Sequence, residues 1–346
     1  MKHVIMIGPA SVSKGGIATV IANFEKTFNS NEVRIHHIAS WKEGNPLFKL
    51  WMFLKAIMHF CYLAITRRIS IVHIHTSQRG SFYRKVMFMQ LARIFRAKVI
   101  LHMHGSRFGI FFDNQSPWLQ KRIIRQLNQL DHLIVLSEAW KTYYENLCDT
   151  PVTIMENAVQ VPQTNPYNNQ SKTIVTFGNV TKEKGSYDLL HAIHSLGSTY
   201  QEYQFIFYGI GDIENAQKHI HENQLTNVTL GGWVESEQKQ TILDSALLHI
   251  LPSYHEALPM AILETMAHGI PNISTNIGGI PQIVQNKQNG ILIEPGDTDT
   301  LEQAIATLLH DETTREEMSQ KAHEAVQAKF SINACNAKWE QFYQKL

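Results

Sequence analysis

The chain has 346 residues, 44% hydrophobic and 18% charged, a globular composition long enough for two domains. Its three cysteines lie far apart without a CxxC pair, which excludes a disulfide framework and indicates a reducing compartment. Residues 1–160 carry 20 Lys+Arg and 9 Asp+Glu, a net of +11, whereas residues 161–346 carry 11 and 21, a net of −10. This asymmetry indicates either two domains with different partners or two domains that attract each other across a cleft.

The first half alternates short apolar runs with helical stretches. HVIMIG (3–8) predicts a buried first strand. The N-terminus MKHVIMIGPAS lacks the long apolar stretch and cleavage site of a signal peptide. Further strands are predicted at SIVHIHT (70–76), KVILHMHG (98–105) and HLIVLS (132–137). Runs that are apolar on both faces are typical of parallel strands covered by helices, so the pattern predicts a doubly wound α/β sheet.

One segment, LFKLWMFLKAIMHFCYLAITRR (47–68), is apolar enough to raise the question of a membrane span. Lys49, Lys55 and His59 interrupt it, so it contains no run of 18 uncharged apolar residues. We expect a helix packed in the protein core. Its mixture of aromatic and basic residues would also suit a membrane surface.

A polar stretch, QVPQTNPYNNQSK (160–172), lacks periodicity and predicts a linker. The strand–helix pattern then restarts, which predicts a second α/β domain. Its strands are expected at TIVTFG (173–178), QFIFYG (204–209), NVTLGG (227–232) and LLHILPS (247–253). Ligands bind outside the carboxyl ends of such strands, so a cleft between the domains is the expected site.

Two features of the first domain could contact a ligand. Gly15 and Gly16 open a helix after the first strand, where free N–H groups suit an anion, although a plain tight turn has the same pattern. HIHTS (73–77) and HMHGS (102–106) place histidines near two strand ends. Metal binding is conceivable, but no Cys or carboxylate cluster accompanies them, so hydrogen-bonded structural histidines are favoured. His104 is the best placed of them to reach a cleft.

Two loops of the second domain have comparable features. In FGNVTKEKG (177–185), Lys184 could clamp a phosphate beside a helix N-terminus, or it could simply be solvated. In YGIGD (208–212), Gly209 would allow a planar base to approach the backbone.

The stretch SYHEALPMAILETMAHG (253–269) holds two carboxylates, Glu256 in a loop and Glu264 in a helix. Each could accept two hydrogen bonds from adjacent hydroxyls, which suits a neutral polyhydroxyl ligand. The alternative is two solvated charges. The apolar residues 260–263 favour a buried helix and therefore the first interpretation.

The E-x7-E element EALPMAILE, followed by AHGIP and NIGGIPQIV, resembles the nucleotide-binding segment of retaining glycosyltransferases of family 4, which have the GT-B fold. Matching pieces occur in order along nearly the whole chain: the Gly15-Gly16 loop, HMHG, IMENAV, FGNVTKEKG, YGIGD, GGWV, the E-x7-E element and a C-terminal helix. The resemblance implies two Rossmann-like domains facing across a cleft, at residues 1–165 and 171–330, with a helix at 331–346 returning toward the first.

The resemblance also implies residue roles. Glu256 and His104 would contact the transferred sugar, and Lys184 would neutralise the departing diphosphate. Glu264 would hold the ribose hydroxyls of the nucleotide. The other implied donor contacts are Gly15, Gly16, Asn179, Gly209, Val234, Leu258, Met260 and Ala261.

One position departs from the family pattern. Asn179 stands where the family usually has arginine, so a second positive charge is missing there. Lys182 or Arg107 could replace it. This departure leaves room for weaker leaving-group stabilisation.

The implied reaction is retaining, metal-independent sugar transfer from a nucleotide sugar, without a separate cofactor, to a glycan or lipid-linked acceptor. The resemblance implies a role in capsule, exopolysaccharide or lipopolysaccharide synthesis, in the cytoplasm or on the inner face of the plasma membrane. The basic N-terminal domain would suit a lipid diphosphate on an anionic membrane rather than nucleic acid. Its grouped basic residues are Arg79, Arg84, Lys85, Arg93 and Arg96.

Two alternatives stay open at this point. Nucleotide-sugar 2-epimerases share the GT-B fold but depend on a different carboxylate and histidine arrangement. A non-catalytic nucleotide-sugar-binding partner is compatible with Asn179. A NAD-dependent dehydrogenase is disfavoured, because no GxGxxG follows the first strand of either domain.

Overall fold

The computed structural model describes all 346 residues except the side chains of Ser236 and Glu237. The chain divides into two compact units. Unit 1 comprises Met1–Ala158 and Ile332–Leu346, and unit 2 comprises Val159–Ser331. The first boundary therefore lies at 158/159, earlier than the 165 and 171 expected from the sequence, and the second lies one residue after the expected 330/331.

Unit 1 is built on one six-stranded parallel sheet with the order β2-β1-β3-β4-β5-β6. Its elements are β1 (Lys2–Pro9), α1 (Gly16–Thr27), β2 (Val33–Trp41), α2 (Pro46–Thr66), β3 (Ile69–Thr76), α3 (Gly80–Ile94), β4 (Lys98–Met103), α4 (Phe108–Asp113), α5 (Pro117–Leu127), β5 (His132–Val135), α6 (Glu138–Leu147), β6 (Val152–Ile154) and, after unit 2 in the sequence, α13 (Ile332–Lys345).

The helices of unit 1 cover both faces of its sheet. From β1 to β2 the chain moves toward one edge of the sheet, and from β2 onward it moves toward the other edge. Because the crossovers are right-handed, α1 lies on one face of the sheet and the helices that lead to β3–β6 lie on the other face. Helices α2 to α6 cover one face, and each contributes a large side chain to a shared core: Phe60, Phe88, Phe108, Leu127 and Tyr144. On the other face, α1 packs against α13 through the rings of Phe24 and Trp339, 5.5 Å apart.

Helix α2 differs from its expected place in the core. Asn45 caps it by accepting from the Phe48 amide, and Pro46 suits its first position. Ala56, Phe60 and Leu63 are buried against the core, but they are the only fully buried side chains among the described residues of the helix. By length and composition alone α2 could cross a membrane. The expectation of a core-packed helix was wrong for its outer face.

The histidines of β3 and β4 form a stack beneath α13. His73 bonds the Tyr343 hydroxyl through Nδ1 at 2.6 Å and His102 through Nε2 at 3.2 Å. His75 Nδ1 lies 2.9 Å from His104 Nε2. These histidines are therefore hydrogen-bonded within the fold, as the favoured interpretation predicted.

Unit 2 is a second six-stranded parallel sheet, with the order β12-β11-β10-β7-β8-β9. Its elements are β7 (Thr173–Phe177), α7 (Ser186–Leu196), β8 (Gln204–Tyr208), α8 (Ile213–Glu222), β9 (Val228–Gly232), α9 (Ser236–Asp244), β10 (Ala246–Leu251), α10 (Met260–Ala267), β11 (Asn272–Thr275), β12 (Gly290–Ile293), α11 (Thr298–His310) and α12 (Glu312–Lys329).

The polar segment predicted as a linker is packed on unit 2. Tyr167 donates its hydroxyl hydrogen to the Leu247 carbonyl at 3.0 Å, and Asn165 donates to Ser319 Oγ at 2.9 Å. The guanidinium of Arg315 donates to the side-chain oxygen of Asn169 at 2.8 Å. These side-chain hydrogen bonds hold residues 160–172 in an ordered path. Such bonds produce no periodic pattern in the sequence, so the segment resembled a linker.

The buried histidine stack predicts that unit 1 loses stability in mild acid. Burial lowers the pKa of His73 and of His104 to about 3, and it lowers the pKa values of His75 and His102 well below 6.5. In an unfolded chain these histidines titrate near 6.5, so below that pH the unfolded state binds more protons and stability falls. At pH 5 each histidine should remove about 2 kcal/mol relative to neutral pH.

Urea unfolding at pH 7.5 and pH 5.0, followed by tryptophan fluorescence, measures this effect, because five of the six tryptophans lie in unit 1. His75→Asn, which retains a polar atom near the Nδ1 position, should unfold with a smaller difference between the two pH values. An equal pH dependence in the variant and the wild type would contradict the explanation.

Candidate functional site

The carboxyl edge of the unit 2 sheet has a topological switch point between β7 and β10. From β7 the chain proceeds to β8 and β9 on one side, and from β10 it proceeds to β11 and β12 on the other. The chain therefore leaves β7 and β10 toward opposite sides of the sheet, and doubly wound sheets bind ligands at such a point. These two loops contain Lys184 and Glu256.

A close backbone approach joins the two loops. Residues Lys182–Lys184 form a 3-10 turn capped by the Thr181 side chain, and Gly185 follows with a φ of 67°. A Cβ at Gly185 would lie 2.0 Å from the Pro252 carbonyl oxygen, so only glycine fits there without displacement. The Tyr254 amide donates to the Glu183 carbonyl at 2.9 Å, which fixes one loop on the other.

The Glu256 carboxylate is held at this contact. Its Oε1 accepts from Lys184 Nζ at 2.5 Å and from Ser253 Oγ at 2.9 Å. The Glu256 side chain is only 9% exposed, so it is not the solvated loop charge of the alternative interpretation. Among the described residues both donors reach Oε1, which leaves Oε2 for hydroxyls of a ligand.

The Glu264 carboxylate has a lysine partner of its own. It accepts from Lys239 Nζ on α9 through Oε2, and the Lys239 ammonium lies 4.8 Å from the centre of the Phe177 ring. The Glu264 side chain is 18% exposed and projects from α10, which is otherwise largely buried, as its apolar sequence predicted. Lys239 was not found from the sequence, because a single lysine on a polar helix carries no signal of its partner.

The N-terminus of α10 separates the two carboxylates. Pro259 occupies the N-cap position, and no side chain of the described residues caps the helix. The first amides of a helix have no partner within it, and they attract anions. Leu258, Met260 and Ala261, predicted from the family resemblance to contact a donor, lie at this N-terminus.

A further loop supports Glu256 from behind. The Gly279 amide donates to the Ala257 carbonyl at 2.7 Å. A Cβ at Gly278, whose φ is 54°, would lie 2.0 Å from the Glu256 carbonyl oxygen. The two glycines of NIGGIPQIV, a part of the family resemblance, therefore position the loop that carries Glu256.

The other predicted contacts of unit 2 surround the same edge. Gly209 packs on the β7 loop, where a Cβ would lie 1.8 Å from the Gly178 carbonyl oxygen, and its amide donates to the Gly232 carbonyl at 2.8 Å. Asn179 follows β7 with an exposed side chain, and Val234 follows β9 half-buried. All three lie at carboxyl ends of strands, as expected.

Unit 1 has its own switch point, between β1 and β3. Gly15, with a φ of 121°, occupies the N-cap position of α1, and Gly16 begins that helix. No described side chain caps α1, so its first amides can meet an anion. His104 follows β4 and is neutral, because burial lowers its pKa to about 3. It suits a hydrogen bond to a hydroxyl rather than a charge pair.

The basic residues predicted in unit 1 fall into separate environments. Lys85 is buried beside Ser40, and burial lowers its pKa to about 7, so its assignment to a basic surface was wrong. Arg79 instead lines a cavity of about 290 Å³ with Arg107, between α3 and α4. The remaining lining residues are Gly80, Tyr83, Ile110, Phe111, Asn114 and Gln115.

One group of side chains in the described part of the chain has the composition of a metal site. Ring nitrogens of His73, His75 and His102 lie within 4.8 Å of one another, and Nε2 of His75 and of His102 is buried without a partner. The His73 and His102 nitrogens, however, point at each other across their hydrogen bond. A metal ion would require at least one of these rings to turn.

Residues 160–325, just under half of the chain, match the family described as glycosyl transferases group 1. An uncharacterized glycosyltransferase of Haemophilus influenzae is 24% identical over 58% of this chain and 60% of its own length. N-acetyl-alpha-D-glucosaminyl L-malate synthase of Bacillus anthracis is 24% identical over 81% of this chain and 76% of its own. TuaC of Bacillus subtilis, named for teichuronic acid biosynthesis, is 32% identical over 47% of this chain and 39% of its own.

Several solved structures match the whole chain or nearly all of it. Sucrose-phosphate synthase from Thermosynechococcus elongatus superposes with a TM-score of 0.81 at 16% identity, covering 100% of this chain and 99% of its own. HepE from Anabaena, in complex with UDP, superposes with a TM-score of 0.77 at 15% identity, covering 100% of both chains. At these identities the likeness concerns the fold, and it confirms the predicted GT-B fold. Residues 160–325 therefore match the glycosyl transferases group 1 family, and the chain as a whole has the GT-B fold.

Proposed function

We propose that this chain transfers a sugar from a nucleotide diphosphate donor to a glycan or lipid-linked acceptor. The observation that carries the proposal is the pair of lysine–carboxylate contacts, Lys184 with Glu256 and Lys239 with Glu264, on either side of the α10 N-terminus. Carboxylates suit sugar and ribose hydroxyls, whereas lysines and helix amides suit a diphosphate. A nucleotide sugar combines these groups in one molecule.

In this proposal each carboxylate binds a different part of the donor. Glu264 binds the ribose hydroxyls, and Glu256 binds hydroxyls of the transferred sugar. Their lysine partners keep both carboxylates oriented, because a charge-assisted hydrogen bond fixes one oxygen and leaves the other for the ligand. A contact of the neutral His104 with the sugar stays a prediction of the family resemblance.

The leaving diphosphate requires positive charge as the glycosidic bond breaks. Lys184 and the α10 amides supply part of it. Asn179 cannot, and we propose Lys239 as the second cation, because its ammonium lies over Phe177, two residues before Asn179. With these groups in place the transfer does not depend on a divalent metal.

The stereochemical course follows the family resemblance. We propose that the acceptor attacks from the face that the diphosphate leaves, assisted by the departing phosphate, so that the anomeric configuration is retained. This course needs no carboxylate base opposite the sugar, and it leaves Glu256 free to bind hydroxyls.

The proposed pathway is synthesis of a cell-surface polysaccharide. Among the relatives, TuaC is named for teichuronic acid biosynthesis, and another is described as lying in the cps region of Klebsiella pneumoniae. We propose that an anionic group of the acceptor, such as a lipid diphosphate, binds the cavity lined by Arg79 and Arg107. The enzyme would then act in the cytoplasm, at the inner face of the plasma membrane.

The function test is a screen of nucleotide sugars by thermal shift, followed by product analysis. At least one UDP-, GDP- or ADP-sugar should raise the Tm, since a ligand that binds only the native state stabilises it. NMR of the product should show a retained anomeric configuration, and EDTA should leave the rate unchanged. Epimerised donor without acceptor would indicate the 2-epimerase, and binding without turnover would indicate the non-catalytic partner.

The two glutamates should respond differently to substitution. Glu264→Ala should raise the Kd for the donor about 10- to 100-fold, because it removes charge-assisted hydrogen bonds to the ribose. Lys239→Ala should weaken donor binding in the same direction. Glu256→Gln should lower kcat about 100-fold, because it weakens contacts to the reacting sugar.

Calorimetry with the donor and initial-rate kinetics separate these effects. Glu317→Ala, at an exposed position of α12, is the matched control and should behave as wild type. Wild-type binding and turnover in both glutamate variants would contradict the assignment of these carboxylates to donor binding.

The Gly185 contact should be needed for donor binding. A methyl group at Gly185→Ala would strike the Pro252 carbonyl and separate Lys184 from Glu256. We expect donor affinity to fall about 10-fold or more, the equivalent of losing one charged contact.

Gly197→Ala provides the control. Gly197 has a similar φ of 65°, but a Cβ there meets nothing within 4 Å. The control should lose stability through backbone strain while its donor affinity, measured by calorimetry below its Tm, stays at the wild-type value. Equal losses of affinity in the two variants would show that strain alone, not the loop contact, is responsible.

A further inference from the structure

Helix α2 presents an apolar stripe to solvent. Seven large apolar side chains on it are between 50% and 78% exposed. They recur every three or four residues, so they lie on one face of the helix. We call this set the outer stripe: Leu47, Leu50, Trp51, Leu54, Met58, Tyr62 and Ile65.

The opposite face of α2 is anchored to the fold. Ala56, Phe60 and Leu63 are buried, and the Phe60 ring packs edge-on against Phe88 of α3 at 6.1 Å. The helix also connects β2 to β3, two strands that flank β1 in the same sheet. It cannot cross a bilayer without leaving that core, so its length and apolar composition point instead to a helix lying in the plane of a membrane surface.

The chain segment that contains the outer stripe carries one sign of charge. Residues 44–112 contain 11 Lys+Arg and no Asp or Glu. Lys55 lies on α2 itself, with its ammonium 5.1 Å from the centre of the Trp51 ring, and Arg67 and Arg68 follow the helix directly. Aromatic and basic side chains beside an apolar stripe are typical of helices at the interface of an anionic bilayer.

Helix α3 extends this surface. It packs against α2 through Phe53 and Phe88, whose rings are 5.7 Å apart. On its solvent side Ile94 is 72% exposed and Met87 is 44% exposed, with the exposed Arg96 two residues after Ile94. The combination of exposed apolar and basic side chains therefore continues beyond α2.

We propose that the outer stripe of α2 docks unit 1 on a lipid bilayer that contains anionic headgroups, with the apolar side chains at the level of the acyl chains and the basic side chains at the phosphates. Charge decides the occupant: a second copy would bring its own Lys55, Arg67 and Arg68 to the contact, whereas anionic lipid neutralises these charges. The inference deepens the proposed function, because docking would bring the enzyme to a lipid-linked acceptor.

The test is flotation of the full chain with vesicles at low salt. Protein should float with vesicles of phosphatidylcholine and phosphatidylglycerol and should float less with phosphatidylcholine alone. Leu54→Glu combined with Met58→Glu should lower the vesicle-bound fraction at least about 10-fold, because it replaces inserted apolar groups by like-charged carboxylates. Gln303→Glu with Gln327→Glu adds the same charge at exposed positions of unit 2 and should float as wild type.

Two further measurements keep the outcome unambiguous. Brominated lipids should quench part of the tryptophan fluorescence in wild type, and Trp51→Phe should remove most of that quenching. Donor binding by the Leu54→Glu, Met58→Glu variant should equal wild type, which shows that it is folded and separates this proposal from the proposed transfer reaction.

Three results would overturn the inference. If the wild-type protein does not float with anionic vesicles at low salt, it has no membrane-docking surface. Equal flotation of the Leu54→Glu, Met58→Glu variant and wild type would place the contact elsewhere. A wild-type dimer that the same variant converts to a monomer would make a second copy the occupant.

Discussion

The candidate site of unit 2 depends on one close backbone contact, that of Gly185 with the Pro252 carbonyl. Lys184 immediately precedes Gly185, and Glu256 lies four residues after Pro252, so the contact brings the two charges together. A lysine and a glutamate separated by 72 residues can pair only if the loops that carry them meet. The parallel sheet arranges that meeting, since β7 and β10 are neighbours and both loops leave its carboxyl edge.

The same constraint explains the density of glycines around this edge. An added Cβ at Gly185, Gly209 or Gly278 would lie about 2 Å from a backbone carbonyl oxygen of another loop. Only glycine therefore allows these loops to approach so closely. Side chains larger than glycine would hold these loops apart. Binding energy at such a site comes from preorganised groups, because charges that are already placed need not reorganise when a ligand arrives.

Several features could be predicted from the sequence because they are local. Alternating apolar runs indicated two parallel sheets, since both faces of a covered strand must be apolar, and the structure confirms them. The spacing of Glu256 and Glu264 placed one carboxylate in a loop and the other in a helix, as observed. Other features were long-range. The sequence could not reveal the pairing of Lys239 with Glu264, and it did not show that the segment 160–172 would bond to unit 2.

For Lys85 and helix α2, the burial in the structure differs from what the sequence indicated. Lys85 looked like a surface cation within a basic run, yet it lies beside Ser40 in the interior. Helix α2 looked like a core helix, yet seven of its large apolar side chains face solvent. The sequence by itself determined which segments are strands and helices, which groups can carry charge and which family pattern they follow. Only the tertiary structure decided which face of a helix is covered and which charges meet, because composition describes a segment alone whereas burial and pairing depend on what the rest of the chain packs against it.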